Sequence, residues 1–321
     1  MQETRLERLR KELPFLRERL SSLPRSKQVA HDIWELGVTS PDRIALTISV
    51  LVHGNETGGI GVLNELVTLL HAGFQIPEGG VCLIIGNDKA ALQGKRFLDR
   101  DLNRSFGMTL DGSWEALRAS EIAPFLKKSG LYLDIHQTLM PSDRGFFIFP
   151  YNHKALRFSK SILPRASTVT HWGKPFSSSG MCTDEYMGQF GGVGITLELG
   201  QNGFDPFQIS FGLQAVINAF AYAMDPNSLR HPEWLKGELF TWQKIVDWPT
   251  SGEAHMDEGW TNFRPISKGQ KMGIHDGMEV TAPESGWMLF PKYFTPEVPQ
   301  TSRPSEMYRI MKKITELDLP D

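Results

Sequence analysis

Apolar residues recur at alternating three- and four-residue steps at Leu6, Leu9, Leu13, Leu16 and Leu20, set among many charges. That period predicts an amphipathic helix at the amino end, in spite of Pro14 in its middle. Its stripe either docks on the body of the protein or, in the sharper reading, forms a contact between copies of the chain in a homo-oligomer. Further on, the pattern changes to short unbroken apolar runs. Ile44 to Val50, Val81 to Asn87 and Leu131 to His136 predict buried strands. A helix face at Ile60, Leu63, Leu66, Val67 and Leu70, stopped by Gly73, separates the first two. Strand, helix, strand at this spacing predicts a parallel crossover and an α/β layer architecture.

A short helix from about Glu115 and strands at Gly145 to Phe149 and Val193 to Glu198 continue the alternation. Asp205-Pro206 has the chemistry of a helix start, a side-chain cap followed by proline at the first helical position. The helix carries Phe207, Ile209, Leu213, Val216, Ile217 and Phe220 and ends at Asp225-Pro226. Beyond it, runs at Glu238 to Val246, Met278 to Ala282 and Gly286 to Phe290 are separated by Pro, Gly, Ser and Asp. The texture predicts an α/β domain over residues 1–225, with a helical extension at 1–41, and a smaller β-rich domain over 226–321. A long helix is expected in that second part only at the final residues.

Charge narrows the function. Among 321 residues the net charge is -3, which gives no bulk attraction to nucleic acid or to an anionic membrane. Neither partner is expected, and small-molecule chemistry becomes the default. Glu3, Arg5, Glu7, Arg8, Arg10, Lys11 and Glu12 crowd the amino terminus where a secretory signal needs an apolar core, so the chain reads as cytoplasmic. The two cysteines, Cys82 and Cys182, are too few for a disulfide framework and lack metal-ligand spacing.

Candidate chemistry sits at the carboxyl ends of the apolar runs. His53 and Glu56 follow the first strand, and two intervening residues let one sharp turn aim both at a single ion. Alternation puts Asp134 and His136 on one face of a later strand end, which makes His136 a third ligand. Two imidazoles and a carboxylate match a catalytic zinc site, with a fourth position left for water. Asp134 either orients a ligand from behind or caps a neighbouring loop. Glu198 is a carboxylate ending an aliphatic strand, costly there unless paired or functional, and is a natural general base. In the basic stretch from Gly94 to Phe106, Arg96 and Arg104 suit two anionic tasks: one at the oxyanion of a tetrahedral intermediate, one at a permanent carboxylate of the substrate.

Together and in order, His53-Gly54-Asn55-Glu56, Arg96 seven residues before Asn103, Asp101-Leu102-Asn103-Arg104, Asp134-Ile135-His136 and Thr196-Leu197-Glu198-Leu199-Gly200 resemble the succinylglutamate desuccinylase/aspartoacylase family, a branch related to the zinc carboxypeptidases. The resemblance implies one Zn2+ per chain held by His53, Glu56 and His136, with Glu198 activating water. It implies that Arg96 polarises the scissile carbonyl and that Asn103 and Arg104 grip the carboxylate of the amino-acid half. The fold it implies is a mixed central sheet flanked by helices, zinc carboxypeptidase-like, with a carboxyl-terminal β-rich domain that narrows access to the metal. In one respect the chain departs from the family. No Arg or Lys lies between Met181 and Leu197, where aspartoacylases resemble one another in carrying an arginine for an acidic side chain. Asp184 and Glu185 stand there instead, so a neutral or basic substrate side chain is expected, unless Arg144 supplies the charge from another loop.

The expected activity is hydrolysis of the amide of an N-acyl amino acid or similar small amide. A metallocarboxypeptidase acting on small or cell-wall peptides is the neighbouring alternative, since Arg104 holds a terminal carboxylate equally well. A non-catalytic carboxylate-binding module is the alternative from another class. Retention of Glu198 beside three ligands speaks against it, because structural zinc sites normally fill all four positions with protein. Other divalent ions suit the same donors.

Overall fold

Twelve strands hydrogen-bond side by side in one sheet of the computed structural model, which describes residues 3–173, 175–177, 180–229, 236–294 and 304–320. The chain opens with α1 (Arg5–Ser22), then a hairpin of β1 (Ser26–Ala30) and β2 (Ile33–Leu36). β3 (Ile44–Val50), α2 (Gly58–His71), β4 (Val81–Ile85) and the single turn α3 (Asp88–Ala91) follow. Next come α4 (Trp114–Lys128), β5 (Ser129–Thr138), β6 (Phe146–Pro150), α5 (His153–Ile162) and β7 (Ser167–His171). The first part closes with α6 (Thr183–Gly188), β8 (Val193–Gln201) and α7 (Pro206–Met224). Past residue 225 there are strands: β9 (Leu239–Asp247), β10 (Ala254–Met256), β11 (Pro265–Ile266), β12 (Lys271–His275), β13 (Met278–Thr281), β14 (Gly286–Leu289) and β15 (Glu306–Ile314).

The sheet order is β1-β2-β4-β3-β5-β8-β6-β7-β9-β15-β14-β11, and β10-β12-β13 form a separate antiparallel sheet. The middle is parallel from β4 through β3 and β5 to β8, with β6 antiparallel to β8, so the sheet is mixed. β3 has β4 on one side and β5 on the other. The connections therefore reverse direction there, the topological switch point at which open α/β sheets bind ligands. One face packs under α1, α2, α5 and α7 through residues such as Leu13, Leu63, Phe158 and Val216. Ile122, Phe125 and Leu126 of α4 and Met187 of α6 cover the other face.

The leucine stripe of α1 is part of this core: Leu13, Leu16 and Leu20 are fully buried against the protein's own body. It is therefore not available as a contact between copies. Residues 1–41 are also not wholly helical, because β1 and β2 add two strands to one sheet edge. The final residues form β15 rather than a helix, buried on both faces, with Tyr308 and Ile310 in one cluster and Met311 in another. The change of texture falls at the end of α7, yet hydrogen bonding crosses it, since β9 pairs in parallel with β7. Among the described residues no helix is long and apolar enough to cross a membrane.

Candidate metal centre and active site

After Val50 ends β3, Leu51 adopts a positive φ of 55° and turns the chain so that His53 and Glu56 face one point. A non-glycine residue in that region is strained and persists where its surroundings over-determine it. Leu51 is fully buried, and its carbonyl accepts from the Asn87 amide at 2.7 Å. Gly54 is required by close approach: a Cβ would lie 2.4 Å from the Ala91 nitrogen and 2.6 Å from the Lys95 oxygen. Its own N–H donates to the Arg96 carbonyl at 2.8 Å, so the ligand turn and the arginine turn are tied together.

β5 presents Asp134 and His136 on one face, and the parallel register with β8 sets Glu198 opposite His136. The inner ring nitrogens meet: Nδ1 of His53 lies 3.1 Å from Nδ1 of His136 and 2.8 Å from Glu56 Oε1. His136 Nδ1 is 2.9 Å from Glu56 Oε2. Each outer nitrogen has an acid, His53 Nε2 at 3.0 Å from Asp101 Oδ1 and His136 Nε2 at 2.8 Å from Asp134 Oδ2. An acid at Nε2 draws the imidazole proton outward and leaves the Nδ1 lone pair facing the centre, the orientation a metal ligand needs. Asp134 is thus an orienting residue, held in turn by Ser49 and by the Thr183 hydroxyl at 2.6 Å.

The electrostatics ask for a positive charge at this point. Burial opposes ionisation of Glu56, but the two imidazoles hold its carboxyl well below the usual range. Burial likewise opposes charge on His136, but Asp134 and Glu56 lift the ring well above the ordinary imidazole value. A divalent ion would satisfy both nitrogens and the carboxylate at once, so the donor set fits such a group. Glu198 adds a second sign of fit. Its Oε2 is buried in the cavity wall and has no hydrogen-bond partner among the described residues. Burial pushes its pKa up to about 8, with Glu56 adding to the shift and His136 and Arg96 opposing it.

Arg96 reaches over the cluster, with Nη1 at 2.9 Å from Glu56 Oε1 and Nη2 at 2.8 Å from His53 Nε2. One nitrogen cannot donate to Asp101 and accept from Arg96 together. With the proton on Nε2, Asp101 keeps the bond, and Arg96, 39% exposed with Nη2 at 3.5 Å from Asp101 Oδ2, stays in the cavity lining on its contact with Glu56. Asp101 also caps the 3-10 turn Leu102–Arg104 through the Asn103 amide at 2.8 Å. That turn places Arg104 with its guanidinium 4.9 Å above the Phe176 ring and Nη1 at 3.0 Å from the buried thiol of Cys182. Asn103 accepts from the Thr183 amide at 3.0 Å. His53, Glu56, His136, Glu198, Arg96, Asn103 and Arg104 all line one cavity of about 940 Å³.

Three residues singled out in the sequence have partners of their own. Glu185 takes the Phe176 and Cys182 amides at 2.8 and 3.0 Å, which locks a loop. Asp184 is buried against Thr196, its carboxyl raised to about 7 by burial and by the nearby Glu185 and Asp134. Both acids line the cavity while these bonds hold them in place. Arg144 is bound to Glu238 at 2.7 Å and lies outside the cavity lining, so it supplies no charge there. The role of Asp101 was visible only as part of a motif, and the distant wall formed by Lys292, Glu306 and Arg309 carried no local signal.

The chain is similar to known proteins in sequence and in fold. Residues 43–223 match the family described as succinylglutamate desuccinylase/aspartoacylase catalytic domain. The succinylglutamate desuccinylase of Serratia proteamaculans is 28% identical over 273 residues, 78% of this chain and 80% of the relative. That of Pseudomonas aeruginosa is 32% identical over 252 residues, 70% of this chain and 72% of the relative. In fold, the chain superposes on the succinylglutamate desuccinylase of Chromobacterium violaceum with a TM-score of 0.69 at 20% identity, covering 96% and 98% of the two chains. Murine aminoacylase 3 gives 0.65 at 18% identity, covering 86% and 97%.

Proposed function

Since the chain belongs to the succinylglutamate desuccinylase/aspartoacylase family, we propose that it is a zinc-dependent hydrolase that cleaves the amide of a small N-acyl amino acid. The observation that carries this reading is the meeting of the two Nδ1 atoms and Glu56 beside the unpartnered Oε2 of Glu198. Zn2+ held by His53, Glu56 and His136 would supply a Lewis acid and would lower the pKa of water to about 7. Glu198 takes the proton of the attacking water and returns it to the departing nitrogen. Arg96, in the cavity lining, donates to the carbonyl oxygen as negative charge gathers on it. Asn103 and Arg104 hold the α-carboxylate, which fixes the amide relative to Glu198.

The test is a panel of N-acetyl and N-succinyl amino acids offered to zinc-loaded protein, with released acid and amine both measured and metal content determined by elemental analysis. Release of an acyl acid with about one tightly held ion per chain is the expected result. Absence of hydrolysis across the panel, or failure to hold any divalent ion, would overturn the reading.

A further inference from the structure

The loop that carries Arg96 and Asp101 hangs from one side chain. Glu115, the second residue of α4, is fully buried, and its carboxylate faces three consecutive backbone amides. Oε1 accepts from the Leu98 N–H at 2.7 Å, and Oε2 from those of Asp99 and Arg100 at 3.0 and 3.2 Å. Oε1 also accepts from the Asn87 side-chain amide at 2.9 Å, so each oxygen takes two donors. A carboxylate has about four acceptor positions, and here all are used. Converging backbone N–H groups make an anion-binding concavity, and the protein fills this one with its own acid.

Hydrophobic packing does not place this stretch, because every residue from Leu92 to Asp101 is exposed or half-buried. The bonds to α4 do. The Asp99 carboxylate takes the Trp114 amide at 2.7 Å, so loop and helix exchange bonds in both directions. Asn87 is buried and accepts from the Trp114 indole at 2.9 Å. Its backbone N–H donates to Leu51, the residue that turns the chain toward His53 and Glu56. On the loop, Arg96 precedes the held amides by two residues and Asp101 follows them by one. Asp101 in turn meets Nε2 of His53 and caps the turn of Asn103 and Arg104. Glu115 itself lies outside the cavity lining, so whatever it does for the site it does through these neighbours.

We propose that Glu115 is a positioning residue for substrate recognition, its carboxylate fixing the loop of Arg96, Asp101, Asn103 and Arg104 against the turn that carries His53 and Glu56. This rests on the reading above, from which the tasks of Asn103 and Arg104 come. Gln at position 115 keeps the shape but turns one oxygen into an NH2 group. Against Oε2 that group meets the Asp99 and Arg100 donors, and against Oε1 it meets those of Leu98 and Asn87. Either orientation loses two bonds and sets donor against donor. The arginine turn is then released while the three metal ligands keep their own places.

The test compares kcat/KM for N-acyl amino acids and their α-carboxamides, since only the first offer Asn103 and Arg104 a carboxylate. The zinc-loaded wild type is expected to favour the carboxylate by on the order of 10²-fold, and Glu115→Gln by less than about tenfold with zinc content unchanged. A mere loss of folded protein scales both substrates alike and leaves the ratio where it was. Arg104→Met made in both backgrounds closes a double-mutant cycle. On the carboxylate substrate it is expected to cost on the order of 10²-fold in the wild type and less than about tenfold beside Glu115→Gln. Asp99 is exposed, so Asp99→Ala, which removes the bond to the Trp114 amide, serves if Glu115→Gln does not fold. It is expected to lower the ratio in the same sense by about threefold. If the wild type hydrolyses the panel without preferring the carboxylate, or the folded variants keep its preference, Glu115 only closes a loop and the proposal fails. If the wild type hydrolyses nothing, the hydrolytic reading fails. Calorimetry of an N-acetyl amino acid against its α-carboxamide then gives the same ratio as affinities, and its collapse or persistence in Glu115→Gln upholds or overturns the positioning role.

Discussion

In the proposed reaction Glu198 is the side chain on which the chemistry turns, and its Oε2 has no structural partner to lose among the described residues. Replacing it by Gln keeps shape and burial while removing the base. Turnover is therefore expected to fall by roughly 10³-fold, with zinc content by elemental analysis unchanged; near-normal turnover would dismiss its role. Asp184 makes a different expectation, about stability. Its carboxyl ionises near 3.8 in an unfolded chain but is raised to about 7 in the fold, mainly by burial. The unfolded state therefore releases a proton first, and stability falls as pH rises from about 4 through 7. The gap is at most about 4 kcal/mol at pH 8. Asp184→Asn keeps an acceptor for the Glu185 amide and a partner for Thr196, so its urea midpoint is expected to lose less between pH 5 and pH 8 than the wild type does. Equal losses would show that Asp184 is ionised in the folded protein. His53, Glu56, His136 and Glu198 were legible because each closes or follows an apolar run. The partners of Asp184 and Glu185 were not legible, because an acid in a sequence does not show which backbone amides it will take.

At the scale of the element, α1 shows why propensity alone is a weak guide. Pro14 lies inside the helix and removes one of its hydrogen bonds, yet the buried leucines on either side hold the segment in place. Leu13→Ala is expected to cost about 2–5 kcal/mol in urea unfolding, and a loss below about 1 kcal/mol would mean that α1 contributes little to the core. Pro14 itself is exposed, so Pro14→Ala is expected to raise stability by about 1–3 kcal/mol. Strands β3, β4, β5 and β8 were readable as unbroken apolar runs, since they are covered on both faces. β1, with its Ser26-Lys27-Gln28 start, is an edge strand and carries no such signal. β15 was missed because it buries both faces while carrying Lys312 and Lys313, which breaks both periods at once.

Across the whole molecule, the cavity belongs to both halves of the chain. Phe146, Ile148 and Val169 pack with Phe240, Phe263, Leu289 and Met311, so the apolar seam crosses residue 225. A chain ending at 225 would expose the β7 edge and these aromatic faces. It is expected to aggregate or to elute as an expanded species in size-exclusion chromatography. Recovery of a folded, zinc-binding fragment would show that the first part stands alone. The change of texture near Asp225 was legible, but the pairing of β7 with β9 was not, because register between distant strands leaves no local mark. A ladder of strands that runs unbroken from one edge to the other has a thermodynamic corollary. Neither half can melt ahead of its neighbour, so scanning calorimetry should record one endotherm whose van't Hoff and calorimetric enthalpies coincide.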